Sequence, residues 1–332
     1  MKKSTKVTIL DVANAAGVST ATVSRVINNP DKVKKNTIKL VYDAMSKVGY
    51  ESKLLDPPKK KLNIILVMIP DIENPFYSKI VKGIHAAAFR CGFRYFLHQS
   101  GYQGYTIDAI RNLCYEINPA GIIFLEPIAD VSLLEEINDI VPIVQCCEYN
   151  PNSNLSYVSV DDYSASKAIV EYMISKGCKK IAFINGPSSF KYAYERQNGY
   201  LAALREANLR INNNWIEQMT DLSYEPVISV VSQLLSMEDR PDAIFAASDT
   251  YGVAAIKAVL KNGYSVPADI RIAGFDNTYI SSLCEPSLTT VKQPQFQLGN
   301  LACEILIEHI LNPTASPRHV ILDTELVIRD SV

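Results

Sequence analysis

Only four histidines occur in 332 residues, at positions 85, 98, 309 and 319, and none share the spacing of a metal-binding pair. That speaks against a structural zinc, and no metal ligand is assigned. The seven cysteines (91, 114, 146, 147, 178, 284 and 303) are odd in number and contain no C-x-x-C. Adjacent Cys146 and Cys147 are poorly placed to bridge each other. Reduced, mostly buried thiols are therefore expected, as in a cytosolic protein. No apolar run approaches 18 residues and no leader pattern is seen, so neither a membrane span nor export is expected, and the chain is placed in the cytoplasm. A P-loop, a G-x-S-x-G elbow and a metal cluster are all lacking. Accordingly no catalytic residue and no cofactor is assigned, and a non-enzyme is expected. Short-period repeats and low-complexity tracts are absent too.

What is present is length enough for two or three domains with large cores. The net charge of −2 hides a strong asymmetry. Thirteen of the 33 basic residues but five of the 35 acidic ones fall within the first 61 positions, so that end carries +8 and the remainder −10. A small basic module on an acidic body suits a polyanion-binding head, with the body held off the polyanion. Chance surface asymmetry is the plain alternative.

The basic end has its own pattern. Within TILDVANAAGVSTATVSRVINN (Thr8 to Asn29), Ile9, Val12, Ala13 and Ala16 lie on one face of a short helix, with Asp11 in its first turn. Gly17 supplies a turn, and Ser19 is an N-cap candidate for a second helix that buries Val23, Val26 and Ile27. Two short helices joined by a glycine-containing turn form a helix-turn-helix. The outer face of the second helix carries Thr20, Ala21, Thr22, Ser24, Arg25 and Asn28. Small hydroxyl residues there approach phosphates and base edges closely, and Arg25 sits where its fork of donors meets the O6 and N7 of a guanine. A structural helical hairpin with an ordinary solvated arginine fits the bare spacing equally well. A third helix is expected over Asn36 to Val48, closing a three-helix headpiece over 1–50. Residues 51–61 (ESKLLDPPKKK) read as a basic, proline-containing linker.

From Leu62 the texture becomes apolar runs alternating with amphipathic helices. Strands are expected over Asn63 to Ile69, Phe93 to Gln99, Gly121 to Leu125 and Pro142 to Cys146, with a helix over Phe76 to Arg90. The pattern restarts near Val158. It gives helices over Tyr163 to Ser175, Ala193 to Ala207 and Thr250 to Asn262, and strands over Lys180 to Ile184, Ala243 to Ala246 and Ile270 to Gly274. Leu298 to Leu311 reads as a late helix, followed by short strands. Apolar runs unbroken by polar alternation suit parallel strands covered on both faces. Two such halves in tandem imply a cleft where the carboxyl ends of strands converge.

Polar and aromatic residues gather just after these strands: Asp71, Asn74, Phe76 and Tyr77 in PDIENPFY, Arg196 in ERQNGY, Ser248 and Asp249 after AIFA, Asp276 after IAGF, and Gln293 after LTTV. Aromatic walls with convergent carboxylate, amide and guanidinium groups suit a small polyhydroxylated ligand. Each residue also has a duller reading. Asn74-Pro75 starts a helix, Arg196 pairs with Glu195 or Asp276, and Phe76 is core.

Wording goes further than spacing. VSTATVSRV, then NNPDKV and a closing VGY at Val48 to Tyr50, resembles the headpiece of the lactose/galactose-repressor (LacI/GalR) family of bacterial transcription regulators. PDIENPFY, RQNGY, SDTYGVAA, GFDN and SLTTVKQP are similar to successive signatures of that family's effector-binding body, so the resemblance spans nearly the whole chain. It implies a small all-α helix-turn-helix headpiece joined to a two-lobed α/β periplasmic-binding-protein-like body of parallel sheets. The body runs over 62–332, with an N-lobe of about 62–160 plus 293–320 and a C-lobe of about 161–292 plus 321–332. It implies a homodimeric repressor on double-stranded operator DNA, read through Thr8, Ser19, Thr20, Ala21, Thr22, Ser24, Arg25 and Asn28. It places a small-molecule effector against Asn74, Phe76, Tyr77, Arg196, Ser248, Asp276 and Gln293.

Departures narrow the expectation. Pro57-Pro58 and the absence of an alanine-arginine-x-leucine run speak against a hinge helix with a leucine wedge, although Leu54 or Leu55 can substitute. A flexible basic tether is expected. Ser248 replaces an asparagine common in sugar-binding members, and Cys147-Glu148 stands where many show aspartate-arginine. STATVSR, NPDKV, CCEYNP and CEPSLTTVKQP are similar to a nucleoside-responsive branch. That implies a nucleoside effector, cytidine first, its base stacked on an aromatic ring and its ribose held by Asp276 and Arg196. It also implies a candidate second regulator on adjacent DNA, such as the cyclic-AMP receptor protein. A repressor of sugar catabolism answering to a pentose or hexose is the main rival. A nucleoside- or sugar-processing enzyme using Asp71, Asp249 or Asp276 as base, and a transport-type binding protein, stand further off.

Overall fold

The first unit, Met1–Lys61, is built on three helices: α1 (Ile9–Ala16), α2 (Thr20–Asn28) and α3 (Lys35–Val48). The computed structural model describes residues 8–28, 33–48, 50, 63–100 and 106–332, so the expected linker over 51–61 lies outside the described residues. Val12, Ala13 and Ala16 of α1, Val23 and Val26 of α2, and Val41, Ala44 and Met45 of α3 are buried together. This is the apolar face that the three- and four-residue spacing demands. Gly17 ends α1 with φ +64°, a left-handed position where glycine avoids the Cβ clash.

The second unit, Leu62–Val332, holds two six-stranded sheets. The first contains β1 (Ile64–Ile69), β2 (Arg94–Gln99), β3 (Gly121–Phe124), β4 (Ile143–Cys146), β5 (Tyr157–Val160) and, from the far end of the chain, β11 (His319–Leu322). Its order is β11-β5-β4-β3-β1-β2 and every pairing is parallel. Helices α4 (Phe76–Arg90), α5 (Ile107–Ile117) and α6 (Val131–Ile140) connect these strands, and five of the six residues of β1 are buried, as a sheet covered on both faces requires. The second sheet contains β6 (Ile181–Asn185), β7 (Ile216–Gln218), β8 (Ala243–Ala246), β9 (Arg271–Asp276), β10 (Thr289–Lys292) and β12 (Glu325–Val327). Its order is β12-β10-β9-β8-β6-β7, with β12 alone antiparallel. Helices α7 (Asp162–Ser175), α8 (Lys191–Glu206), α9 (Glu225–Ser236), α10 (Asp249–Lys261) and α11 (Ile280–Leu283) belong to this half, whereas α12 (Gln295–Leu311) returns to pack on α4.

The chain therefore crosses between sheets three times, after Val160, after Lys292 and after Leu322. The last crossing lies beyond the expected changeover at 320, because Ile321 and Leu322 still pair with Ser159 and Val160. Where α4 and α12 meet, two glycines let the backbones approach. A Cβ on Gly83 would overlap the Phe296 carbonyl oxygen, and one on Gly299 that of Ile80. Among the described residues no helix is long and apolar enough to cross a membrane, and no group of three metal-ligating side chains occurs. All seven cysteines are free, with Cys146 Sγ 3.8 Å from Cys147 Sγ.

Candidate functional site

Strand ends from both sheets surround one cavity in the second unit. Asn74, Phe76, Tyr77, Arg196, Ser248, Asp276 and Gln293 all line it, together with Cys147, Glu148, Asp162, Phe190, Tyr192 and Leu222. On the first-sheet side, Asn74 Oδ1 accepts from the Phe76 N–H at 3.0 Å and so starts α4, which delivers Phe76 and Tyr77 to the wall. Their rings meet edge to face at 5.3 Å. The duller reading of Asn74 is thus also true: it begins a helix and borders the cavity.

Arg196 forms the opposite wall. Its Nε and Nη2 donate to Asp162 Oδ1 at 2.9 and 2.8 Å, Nη1 donates to the Ala247 carbonyl at 2.5 Å, and Asp276 Oδ1 lies 3.7 Å away. Burial alone would lower the guanidinium's pKa, but Asp162 and Asp276 outweigh it and hold it above the ordinary value. The main partner is Asp162, not Glu195. Asp276 has φ +110° and takes the Gln293 amide at 2.8 Å, while the Gln295 amide holds its carbonyl. Burial pushes its carboxyl well up, against the pull of Arg196. Ser248 caps α10 by accepting from the Tyr251 N–H at 3.3 Å, leaving its own proton free to donate. Asp249 turns away from the cavity. It binds Thr278 N, Thr278 Oγ1 and Thr290 Oγ1 at 2.6, 3.0 and 2.5 Å, and burial raises its pKa to about 6.

Sequence reasoning had not assigned a role to Glu148, Asp162, Phe190 or Tyr192. Glu148 follows β4 on the first-sheet side, and its carboxylate accepts from the Lys191 and Tyr192 N–H groups at 2.6 and 3.4 Å. Those are first-turn donors of α8, whose N-cap Phe190 offers no side-chain cap. One lobe thus caps a helix of the other. Burial raises the Glu148 pKa to about 7, opposed by Lys191. The unusual Cys147-Glu148 pair was a signal in the sequence; its partner helix was not.

In the headpiece the Asp11 carboxylate takes back the Thr8 N–H and hydroxyl, both at 2.8 Å, and these bonds lower its pKa. Ser19 Oγ accepts from the Thr22 N–H at 3.1 Å, and the two hydroxyls lie 2.9 Å apart. Thr20, Ala21 and Arg25 are exposed along one helix, whereas Thr22 and Ser24 are half-buried. Asn28 closes α2, and its side chain lies outside the described residues. Capping thus claims much of what Thr8, Ser19 and Thr22 offer, while Thr20, Ala21 and Arg25 face outward.

Comparison with known proteins finds matches for both units of the chain. Residues 8–52 match the bacterial regulatory proteins of the lacI family, and residues 170–332 match a periplasmic binding protein-like domain. The chain is 32% identical to the HTH-type transcriptional repressor CytR of Escherichia coli K12 over 333 residues, covering 99% of this chain and 97% of that one. A solved complex of the transcriptional regulator CelR with cellobiose aligns with a TM-score of 0.75 and 29% identity, covering 98% of this chain and 100% of that one. The lac repressor dimer bound to operator and the anti-inducer ONPF aligns with a TM-score of 0.72 and 26% identity, covering 98% and 99%.

Proposed function

Because the chain belongs to the LacI family of bacterial regulatory proteins and is a DNA-binding transcriptional repressor, we propose that a nucleoside, cytidine first, closes the cleft between its lobes and releases the operator. One observation carries this reading. Seven residues expected from separate stretches of the chain, Phe76 and Tyr77 among them, line a single cavity that also holds the rings of Phe190 and Tyr192. Aromatic faces stack a base, while Asp276, Gln293, Asn74 and Ser248 supply acceptors and donors for ribose hydroxyls. Glu148 beside Cys147 gives the wall an acidic group where many members of the family carry arginine.

Two headpieces in a homodimer meet the half-sites of a near-palindromic operator. Lysines and helix N-termini position them on phosphates, and Thr20, Ala21 and Arg25 read bases. The effector acts only through a preference for the lobe arrangement that holds DNA poorly; equal affinity for both arrangements shifts nothing. A second regulator on adjacent DNA, such as the cyclic-AMP receptor protein, shares the response where the linker transmits it weakly. The sugar reading keeps one specific support, the likeness to the CelR–cellobiose complex.

The test is fluorescence anisotropy of the full chain on an operator selected from random duplexes, with cytidine, ribose and cellobiose added in turn. Release by cytidine alone is expected. Release by a sugar alone overturns the nucleoside reading, and loss of all salt-sensitive duplex binding overturns the repressor mechanism.

A further inference from the structure

We propose that Glu148 is a specificity-determining residue that restricts the cleft to effectors carrying no phosphate or carboxylate. The inference rests on the cleft being the effector site, and it holds whether the effector is a nucleoside or a sugar.

An open first turn of a helix is an anion-binding feature, since its N–H groups lack partners and the dipole is positive there. Helix α8, 16 residues long, aims that end at the cleft with no side-chain cap from its own lobe. Glu148 already fills it, at 2.6 Å from Lys191 N and 3.4 Å from Tyr192 N. The two cations beside it are spoken for as well. Lys191 Nζ lies 3.1 Å from Asp162 and 4.9 Å from the Tyr149 ring centroid, and Arg196 is shared by Asp162, Asp276 and the Ala247 carbonyl.

Among the described residues, three carboxyl groups, Glu148, Asp162 and Asp276, therefore share two cations, Lys191 and Arg196, around the cavity. A neighbouring depression adds Asp71 and Glu73 from one lobe and Asp221 from the other, Glu73 and Asp221 being next in sequence to the cavity-lining Asn74 and Leu222. A phosphate entering here meets carboxyl oxygens and, among the described residues, no open donor cluster, and like charges brought together suppress the wrong ligand. Neutral hydroxyl and amine groups meet acceptors instead.

The experiment is calorimetric titration of the purified full chain at pH 7.5 with two matched pairs: cytidine with cytidine 5′-monophosphate, and ribose with ribose 5-phosphate. The 5′-O-methyl ether of cytidine controls for added bulk. The neutral member of the responding pair is expected to bind at least about 100-fold more tightly than its phosphate. Glu148→Gln, which keeps an accepting oxygen and loses the charge, is expected to narrow that ratio below about tenfold. Phosphate and neutral members within tenfold of each other in the parent protein overturn the inference, even if the variant does not fold. So does a ratio left unchanged in a folded variant. A wide ratio on the sugar pair alone supports the charge rule while overturning the nucleoside reading.

Discussion

Arg196 lies flat on Phe275, its guanidinium carbon 3.5 Å from the ring centroid, with the Tyr192 ring 4.5 Å away. The ring contacts fix the plane of the fork, and the fork fixes Asp162 and Asp276. Arg196 is thus a keystone of the second lobe as well as a proposed ligand contact. Arg196→Met leaves the buried Asp276 carboxyl without its cation and Asp162 with Lys191 alone, and breaking such a buried pair costs about 3–5 kcal/mol. Urea unfolding of the full chain should show that loss. Arg196→Lys recovers only part of it, since an ammonium neither forks nor stacks as a guanidinium does. Parent-like stability in Arg196→Met would sink the keystone role.

The raised carboxyls set a pH dependence whose sign is fixed. Glu148 titrates at about 7 against 4.5 when unperturbed, and Asp249 at about 6 against 3.8, burial being the chief cause in both. The folded chain therefore binds more protons than the unfolded one between these values, and stability falls as pH rises through the window. For Glu148 the span from 4.5 to 7 is on the order of 3 kcal/mol. Lys191 and the α8 N–H groups oppose the shift, and Asp162 adds to it. Urea midpoints at pH 5, 6, 7 and 8 should decline, and Glu148→Gln should flatten the upper part of that decline. Identical slopes in parent and variant would show that Glu148 is not the group responsible.

Strands with continuous apolar runs, such as β1 and β8, were legible because burial on both faces leaves no other reading for IILVMI and AIFA. Helix α4 was legible from its periodic face, and its bounds at Phe76 and Arg90 agree with expectation. β7 was not legible: Ile216-Glu217-Gln218 is a three-residue edge strand with no apolar run. In the cavity, chain order pointed to the residues just after strands, Asp71 and Asp249 included, and the family resemblance narrowed them to the seven that line it. Glu148 and Asp162 were not, because their partners lie 43 and 34 residues away, at Lys191 and Arg196. Asp162 was further masked by Asp161, which caps α7 through the Ser164 N–H and makes the pair read as an ordinary helix start.

The seam between α4 and α12 gives a test of packing that does not touch the cavity. Gly299→Ala puts a methyl group onto the Ile80 carbonyl oxygen, and backbone has little room to yield. Overpacking costs about 1–3 kcal/mol where side chains adjust, and the upper end or beyond is expected here. Thermal unfolding should show a clear fall in Tm for Gly299→Ala and for Gly83→Ala. The comparison variant on the same helix is Ala302→Gly, which removes a methyl group buried in the core and adds about 1 kcal/mol of lost helix propensity. If both glycine variants match the parent, the helices are farther apart than the geometry shows.

Arg25 stands exposed on α2 one turn beyond Ala21, and the two share the outward face with Thr20. Val23 and Val26, buried against Val12 and Met45, fix that face by leaving the helix a single rotation about its axis. On the proposed reading, a guanidinium so placed meets a guanine edge through two parallel hydrogen bonds. Arg25→Ala should therefore cost about 1–3 kcal/mol on the selected operator and relax the preference at one base pair per half-site. Exchanging a nearby lysine such as Lys34 should instead weaken all duplexes alike and lower the salt slope by about one. Competition of operator against scrambled duplex separates the two. An Arg25→Ala protein that keeps the parent's discrimination would move base reading to another part of the headpiece.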